Sequence, residues 1–567
     1  MRYSARMNDF EKAKHLFHQG KHSKAKPVLL KTLKQTPNHV DALKLLGYIA
    51  AASADYQGAS KYLGRALELD PTSPECWYYR GVVLQHLDRH EQALASFNEA
   101  LRLHPAFFQA RHDAGLSLSA LQRFEEAAAS FDKAITLDPL SWAAYYNRGI
   151  ALSHLKRYED EIASYDKALS LNADGAQILG NRGVALGQIG RYEEAVASFE
   201  RSLALDTANP AVLCSYGAVL SDLARYDEVL AMLERALKLQ PDHAKARFNR
   251  AHVLLLRGDF EQGWKDYEWR WKTPEFAAGR QLLQGPLWTG QQSLQGKRIL
   301  LQAEQGYGDT LQFCRYARLV ADLGAEVILE AQPALVSILR SLDSVHVIAR
   351  GEPRPDFDYH CSLMSLPGIF GTDLTSLPAS VPYLSAEPDK VQYWQDRLSG
   401  SRQSRVGLVW NGGFRPDRPD LKAVNERRNI PLRQFAKLSC AGIDFFSLQK
   451  GEPAESELAN RKGELWPQDN LFTFTDELKD FGDTAALIAN LDLVISVDTA
   501  TAHLAGALGK PVWILNRYET CWRWLLDRND SPWYPTATLY RQPGMGEWDT
   551  VIERVNTDLI RMVKQDR

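Results

Sequence analysis

The stretch WYYRGVVLQHLDRHEQALASFNEALRLHP, residues 77–105, decides the fold of the first half of the chain because its spacing returns along the sequence. It ends on a proline, and the same 34-residue interval separates seven positions, which are Pro37, Pro71, Pro105, Pro139, Ala173, Thr207 and Pro241. Ten residues after each of the first six positions stands a glycine, and a small residue follows twelve residues later in most units. Small side chains let two helices approach closely, and proline ends the second helix. The period therefore predicts stacked pairs of helices.

The repeating unit resembles the tetratricopeptide repeat. Six residues of the quoted stretch lie on the pattern of that repeat, namely Trp77, Gly81, Ala93, Phe97, Ala100 and Pro105. The resemblance spans residues 9–271 and implies an α-helical superhelix whose inner face binds polypeptide.

The composition argues against several functions. The 567-residue chain has a net charge of −3 and no basic run interleaved with aromatic residues, so nucleic acid is not expected as a partner. Its six cysteines form no CxxC and its histidines no HExxH, which indicates free thiols and no structural zinc. It has neither a signal-peptide core nor the apolar run of ~18 residues that a membrane span requires. We therefore expect a cytoplasmic protein without a membrane span.

A second architecture follows the repeats. Residues 272–296 carry the proline and glycine punctuation of a connector. From residue 297, short apolar runs typical of buried strands, such as RILLQ at 298–302, alternate with segments of helical spacing. The pattern pauses and then restarts with RVGLVW at 405–410. The alternation predicts two α/β, Rossmann-like lobes, residues 297–400 and 401–567, with a ligand cleft between them.

The turn after the first of these strands contains Gly306, Gly308 and Asp309. It is a poor dinucleotide fingerprint, because the third glycine of GxGxxG would fall at Leu311. Either the glycines form a tight turn that presents Asp309 to the cleft, or Asp309 only caps the following helix. The local sequence favours the cap, a role that aspartate fills often.

A second candidate segment follows the apolar strand LDLVISV and opens a helix. It contains Asp498 as the predicted N-cap, followed by Thr499, Ala500, Thr501 and His503. Hydroxyl groups and free backbone N–H groups at a helix start can hold a phosphate. His503 shares a helix face with Thr499, although a histidine here can equally be a satisfied core residue.

Two further loops at strand ends carry candidate donor-binding residues. Asn411 begins a polar segment that contains the arginines at 415, 418, 427 and 428, and the next loop contains Gln449 and Lys450. Cationic side chains such as Arg428 and Lys450 can neutralise a departing diphosphate without a metal. For most of the arginines, a solvated loop is the favoured alternative.

These segments together resemble the heptosyltransferase-type glycosyltransferases of GT-B fold, in the bacterial branch fused to tetratricopeptide repeats. The resemblance rests on EQGYGDTLQF, VGLVWNGG, RRNIPL, SLQKG, DTAALIANLDLVISVDTATAHLAGALGKPVWIL and CWRWLLDRNDSPWYP. It implies that the first lobe binds the acceptor and the second lobe the nucleotide sugar. It also implies that Asp309 is the carboxylate base, and that Asp498, Thr499 and His503 hold the donor diphosphate. Ala500 stands where heptosyltransferases usually have glycine.

A polar series recurs in the repeats two residues before each glycine. Its members are Asp113, Asn147, Asn181, Ser215 and Asn249. Side-chain amides in a row can pair with the backbone of an extended peptide, so the series is a candidate acceptor-binding surface. It resembles the asparagine ladder in the repeats of O-GlcNAc transferase. The alternative is that asparagine is merely tolerated at this repeat position.

The sequence and its resemblances thus favour an inverting, metal-independent glycosyltransferase. We expect it to move a sugar from a nucleotide sugar to a hydroxyl, the Ser or Thr of a protein bound by the repeats, with no cofactor beyond the nucleotide-sugar co-substrate. Two alternatives stay open. One is a glycan or lipopolysaccharide-type acceptor, and the other is a non-catalytic repeat scaffold with a degenerate GT-B module.

Overall fold

The structure is a computed structural model that describes residues 8–281, 285–400, 403–413, 422–438 and 442–565. The chain divides into two compact units, Met1–Thr207 and Ala208–Arg567. Each unit has its own architecture.

The first unit is all helical. Its helices are α1 Asp9–His18, α2 His22–Gln35, α3 Val40–Ala52, α4 Tyr56–Leu69, α5 Pro74–His86, α6 His90–Leu103, α7 Phe108–Ala120, α8 Phe124–Leu137, α9 Trp142–His154, α10 Tyr158–Leu171, α11 Ala176–Gln188 and α12 Tyr192–Leu205. Consecutive helices pair as hairpins, which confirms the predicted stacked pairs.

Gly81 shows why the repeat glycine is needed. Phe97, from the second helix of the same pair, is fully buried against it. A Cβ atom at Gly81 would lie 2.4 Å from the Phe97 ring, which is closer than any van der Waals contact allows. The glycine therefore gives the aromatic ring its place between the two helices.

The second unit begins with more repeat helices. These are α13 Pro210–Asp222, α14 Tyr226–Leu239, α15 Ala244–Leu256 and α16 Phe260–Tyr267, followed by the 3-10 turn Glu268–Lys272 and α17 Pro274–Gln281.

Two parallel sheets follow. The first sheet has the order β3-β2-β1-β4 and consists of β1 Arg298–Gln302, β2 Glu326–Ala331, β3 Val345–Ala349 and β4 Tyr359–Ser362. The second has the order β10-β9-β8-β5-β6-β7 and consists of β5 Ser404–Val409, β6 Ile443–Ser447, β7 Leu471–Thr473, β8 Leu493–Val497, β9 Val512–Asn516 and β10 Ala537–Arg541. Two parallel sheets with connecting helices confirm the predicted α/β class.

Helices and turns connect the strands of both sheets. The helices are α18 Tyr307–Phe313, α19 Tyr316–Ala321, α20 Val336–Leu339, α21 Leu366–Ile369, α22 Pro388–Arg397, α23 Lys422–Arg428, α24 Leu432–Phe435, α25 Ala454–Leu465, α26 Phe481–Ala489, α27 Ala500–Ala507 and α28 Trp548–Gln565. No helix among the described residues combines the length and the apolar character needed to cross a membrane.

One apolar core joins the last repeat to the first sheet. Leu255, Phe260 and Trp264 from α15 and α16 are buried in the same cluster as Ile299 of β1 and Phe313 of α18. The repeat helices of the second unit are therefore part of the hydrophobic core of the lobe that follows them.

Candidate active site

Two helix starts from different sheets meet in the second unit. Helix α18 follows β1, helix α27 follows β8, and the two helices pack against each other. A Cβ atom at Gly308 would lie 2.8 Å from Cδ2 of His503 and 3.6 Å from Cα of Ala500, so only glycine permits this approach. The packing brings Asp309, in the first turn of α18, next to the segment Asp498–His503.

Asp309 makes two interactions with its carboxylate. Its Oδ2 accepts a hydrogen bond of 2.8 Å from the backbone N–H of Gly306, so the residue does cap its own helix. Its Oδ1 forms an ion pair with Nη2 of Arg523, which comes from the other lobe. The Asp309 side chain remains 22% exposed. The capping interpretation therefore describes only one of the two carboxylate oxygens.

Sequence reasoning missed Arg523, although it lies within the quoted stretch CWRWLLDRNDSPWYP. The side chain is buried, donates from Nε to Oε1 of Gln312 at 2.7 Å, and lies 4.3 Å from the ring centre of Trp522. Burial by itself would lower the pKa of this guanidinium, but the Asp309 carboxylate opposes it and the pKa is raised overall. Arg523 is thus a fixed cation that orients Asp309.

The start of α27 differs from the prediction in one respect. The N-cap is Thr499 and not Asp498, and no side chain caps the helix. Oγ1 of Thr499 lies 2.8 Å from Oγ of Ser496 instead, and the backbone carbonyl of Thr499 accepts from the N–H groups of Ala502 and His503. The first N–H groups of a helix, here those of Ala500 and Thr501, have no intrahelical acceptor and favour an anion.

His503 is buried beneath this helix start. Its Nδ1 lies 2.9 Å from the hydroxyl of Tyr534, its ring stacks on Trp524, and its Nε2 lies 3.9 Å from Oδ1 of Asp498. Burial lowers the pKa of His503 to about 4 and outweighs the attraction of Asp498, which raises it. The imidazole is therefore neutral at physiological pH.

The depressed pKa of His503 predicts a pH-dependent stability. Since the pKa falls from 6.5 to about 4 on folding, only the unfolded chain takes up a proton between these values. The contribution of neutral His503 to the free energy of unfolding is fully present above pH 6.5. It is lost as the pH falls toward 4, and the total loss is about 3 kcal/mol. Between about pH 6.5 and pH 5, the free energy of unfolding measured in urea should fall by about 2 kcal/mol more for the wild type than for His503→Gln. An equal loss in both proteins would contradict the assignment.

The side-chain amide of Gln449 holds the backbone of the loop that begins at Asn411. Its side chain is buried, and its Oε1 accepts from the backbone N–H groups of Trp410 and Asn411 at 3.2 and 3.0 Å. Its Nε2 donates to the carbonyl of Asn411 at 3.0 Å. The backbone thus occupies the amide of Gln449, which fixes the position of Asn411 at the end of β5.

Arg428 connects this loop to the start of α27. Its Nη1 donates to the carbonyl of Asp498 at 3.1 Å, and its Nη2 donates to Oδ1 of Asn425 at 2.6 Å. A Cβ atom at Gly412 would lie 2.1 Å from Nη2 of Arg428. A larger residue at this position would therefore displace the guanidinium. Arg428 is therefore a cation held at the predicted donor site.

The expectation of a solvated arginine loop is wrong for Arg427. This side chain is 13% exposed and forms ion pairs with Glu519 at 2.6 Å and with Asp222 of α13 at 2.7 Å. The network therefore links α23 to a repeat helix. The arginines at 415 and 418 lie outside the described residues.

The ammonium of Lys450 lies elsewhere in the second lobe. It donates to the carbonyl of Thr475 at 2.8 Å, beyond the end of β7, and lies 3.9 Å from Oε1 of Glu455. The side chain is 47% exposed. Lys450 thus binds the loop between β7 and α26, and a contact of its ammonium with a donor diphosphate stays a prediction.

In the first unit, the polar repeat positions bond to the preceding repeat. Oδ2 of Asp113 accepts from the hydroxyl of Tyr78 at 3.1 Å. Nδ2 of Asn147 lies 3.0 Å from Nε2 of His112, and Nδ2 of Asn181 lies 3.3 Å from the hydroxyl of Tyr146. Each of these interactions joins residues 35 apart in the sequence, so the series helps to hold neighbouring repeats together.

All five positions of the series are half-buried. In the second unit, Nδ2 of Asn249 lies 3.7 Å from Sγ of Cys214, again 35 residues away, and Ser215 follows Cys214 directly. Asn147 also lines a cavity of about 240 Å³ together with Trp142 and Tyr146. Polypeptide binding at these positions stays a prediction.

The cysteines are free, and metal-binding groups are dispersed in the described part of the chain. The described cysteines Cys76, Cys214, Cys314, Cys361 and Cys521 form no disulfide, and Cys440 lies outside the described residues. Within the described ranges, no three His, Cys, Asp or Glu residues are grouped as a metal ion would need.

Comparison with known families separates two regions. Models of the tetratricopeptide repeat match residues 10–74, 74–107, 112–176, 176–209 and 218–263. The N-terminal region is a tetratricopeptide repeat array. The model of glycosyltransferase family 9 (heptosyltransferase) matches residues 477–524, which contain the start of α27, His503 and Arg523. The second region therefore contains a segment that is similar to glycosyltransferase family 9.

Individual relatives match parts of the chain. Protein FlbA of Caulobacter vibrioides is 30% identical over 344 residues, which are 56% of this chain and 55% of FlbA. The chain thus spans about half the length of this curated relative. The crystal structure of YrrB, a tetratricopeptide repeat protein, is 23% identical, with a TM-score of 0.31 over 33% of this chain and 97% of YrrB. PilF of Pseudomonas aeruginosa is 20% identical, with a TM-score of 0.34 over 37% of this chain and 96% of PilF.

Proposed function

We propose that this protein is an inverting, metal-independent glycosyltransferase that moves a sugar from a nucleotide sugar to the Ser or Thr hydroxyl of a polypeptide bound by its repeats. The packing of α18 against α27 carries the proposal, because it brings a partly accessible carboxylate next to an uncapped helix start. The family 9 match over residues 477–524 supports the same assignment. We assign the acceptor side to residues 297–400 and the nucleotide side to residues 401–567.

The proposed donor site surrounds the start of α27. The N–H groups of Ala500 and Thr501 and the guanidinium of Arg428 offer positive charge to a diphosphate. Asn411 and Thr499 complete the proposed set at α27, and Gln449 fixes the backbone of Asn411. Lys450, which now donates to the carbonyl of Thr475, is proposed to reach the diphosphate from the neighbouring loop. In this site the protein, and not a metal ion, stabilises the negative charge of the departing nucleotide.

Asp309 is the proposed base. Each carboxylate oxygen has two lone pairs, so the bonds to Gly306 and Arg523 leave acceptor capacity for a substrate hydroxyl. As the acceptor oxygen bonds to the anomeric carbon, the bond from that carbon to the diphosphate breaks and the hydroxyl proton moves to Asp309. Attack from the side of the first lobe, opposite a diphosphate held by the second lobe, inverts the anomeric configuration.

The role of Arg428 gives a direct test of the donor site. Arg428→Gln should weaken nucleoside diphosphate binding by about ten-fold or more, because a charge-assisted hydrogen bond is lost. The matched control is Arg433→Gln in the same lobe, whose side chain is 73% exposed. Calorimetry with UDP, GDP and ADP measures both variants. Equal affinity in the two variants would move the donor site away from α27.

The repeat series gives a test of the acceptor. The triple variant Asn147→Ala, Asn181→Ala and Asn249→Ala should lose transfer to a full-length protein acceptor but keep hydrolysis of the donor. Each lost inter-repeat bond should also cost about 1 kcal/mol, because net contributions of hydrogen bonds are small. Asn98→Ala, at an exposed repeat position, is the control. Wild-type transfer by the triple variant would show that the series only joins the repeats.

A further inference from the structure

A cavity of about 700 Å³ lies beside the last repeat and shares no lining residue with the candidate active site. One wall comes from α16 and the turn after it, with Trp264, Glu268 and Trp271. Another comes from the end of β4 and α21, with Ser365 and Ile369. This volume is typical of pockets that hold a small ligand or a large side chain.

A buried charged network lies behind the wall of this cavity and reaches the lining at Glu268 and Ser365. The Arg270 side chain is fully buried, and its Nε donates to Oε1 of Glu304 at 2.7 Å. Its Nη1 donates to Oε1 of Glu268 at 2.5 Å, and its Nη2 donates to Oγ of Ser365 at 2.8 Å. Burial raises the pKa of Glu304 despite the opposing effect of Arg270. The charge that this network presents to the cavity is therefore the Glu268 carboxylate, whose side chain is 45% exposed.

The cavity lining contains three carboxylates, Glu261, Glu268 and Asp373, and one ammonium group, Lys265. Burial raises the pKa of the Cys361 thiol in the cavity wall, and Glu268 and Glu304 raise it further against the opposing effect of Arg270. At the rim, hydrogen bonds from Thr375 and Ser376 lower the pKa of Asp373 to about 2. Glu261 and Lys265 form an ion pair at 2.7 Å, so their charges cancel. The cavity is thus negative overall.

Indole rings form much of the apolar wall. Trp264 and Trp288 are 3% and 2% exposed, and Trp271 is half-buried. Indole attracts cations to its face, and the aliphatic stem of a basic side chain packs on apolar surface. Oε1 of Glu268 already accepts from Arg270 and Ser365, so a ligand guanidinium can form a charge-assisted hydrogen bond with Oε2. These features together select a planar cation on an aliphatic stem.

We propose that this cavity binds an arginine side chain of the acceptor polypeptide and so selects the segment that is glycosylated. The inference rests on the proposed function for the identity of the ligand. Gln302, at the end of β1, lines the cavity, and Glu304 lies on the loop that leads to Asp309. An arginine bound here therefore places its polypeptide at the same edge of the sheet as the proposed base.

The test measures peptide binding to the full-length protein without any donor. The probes are acetyl-Gly-Gly-Arg-Gly-Gly-amide and the same peptide with citrulline, which has the shape of arginine but no charge. Tryptophan fluorescence or calorimetry should give an affinity at least about ten-fold higher for the arginine peptide. Equal affinity for both peptides, or no binding of either, would overturn the proposal.

Variants locate the binding. Glu268→Gln should weaken the affinity for the arginine peptide by about ten-fold. The control is Glu326→Gln, which removes an exposed carboxylate at the start of β2 and should leave this affinity unchanged. Asp373→Asn provides a second reading if Glu268→Gln unfolds, because the amide oxygen can keep the turn contacts of this rim residue. Unchanged binding in Asp373→Asn and in a folded Glu268→Gln would overturn the proposal. Because no donor is present, arginine binding by a protein without transferase activity would refute only the proposed function.

Discussion

Replacing Asp309 with asparagine should lower sugar transfer by about a hundred-fold to ten-thousand-fold, because the amide cannot take a proton from the acceptor. Nucleoside diphosphate affinity should stay within about two-fold of the wild type, since the side chain lies on α18 and the proposed diphosphate site on α27. Initial rates and calorimetry measure the two quantities separately. Wild-type activity in Asp309→Asn would exclude Asp309 as the base.

Arg523→Gln separates chemistry from structure at the same place. Asp309→Asn also breaks the ion pair with buried Arg523, so a loss of activity alone could reflect damage to the fold. Arg523→Gln breaks the same ion pair but keeps the carboxylate. We expect transfer to fall much less in Arg523→Gln than in Asp309→Asn. Equal losses, with equal falls in melting temperature, would mean that the pair is structural.

The sequence predicted those parts of the fold that depend on local spacing. A 34-residue period repeats the same small and apolar positions, so each helix pair is recognisable without any distant contact. Apolar runs likewise identify β1, β5, β6 and β8, which are buried on both faces. Apolar runs do not reveal β4, β7 and β10, because YHCS and LFT are very short and ATLYR alternates polar and apolar residues.

The active-site partners could not be predicted from spacing. Arg523 is 214 residues from Asp309, and only the packing of the two lobes shows that they meet. Gln449 shows the same limit, since its place at a strand end predicts a donor contact, whereas its hydrogen bonds to the backbone of Asn411 could not be read from the sequence. Motifs thus identify the loops around a cleft, whereas the contacts within it depend on tertiary packing.

Two truncations should differ sharply in stability, because the last repeat helices belong to the core of the first lobe. A chain that begins at residue 272 lacks Leu255, Phe260, Trp264 and Tyr267, all of which are buried in the cluster that contains Ile299. Losing a large buried side chain costs about 2 to 5 kcal/mol. Four such losses approach or exceed the total stability of a domain, which is about 5 to 15 kcal/mol.

The shorter chain also lacks Arg270 and leaves Glu304 without the guanidinium that now faces it. Breaking a buried ion pair in this way costs about 3 to 5 kcal/mol more. A chain that begins at residue 208 keeps α13 to α16 and the pair of Arg427 with Asp222. We expect the chain from 208 to melt cooperatively and to bind nucleotide with an affinity close to that of the full-length protein, and the chain from 272 to do neither. Circular dichroism and calorimetry measure both properties. Cooperative melting and nucleotide binding by the chain from 272 would show that the lobes fold without the repeats, since the second region would then form its core from its own residues alone.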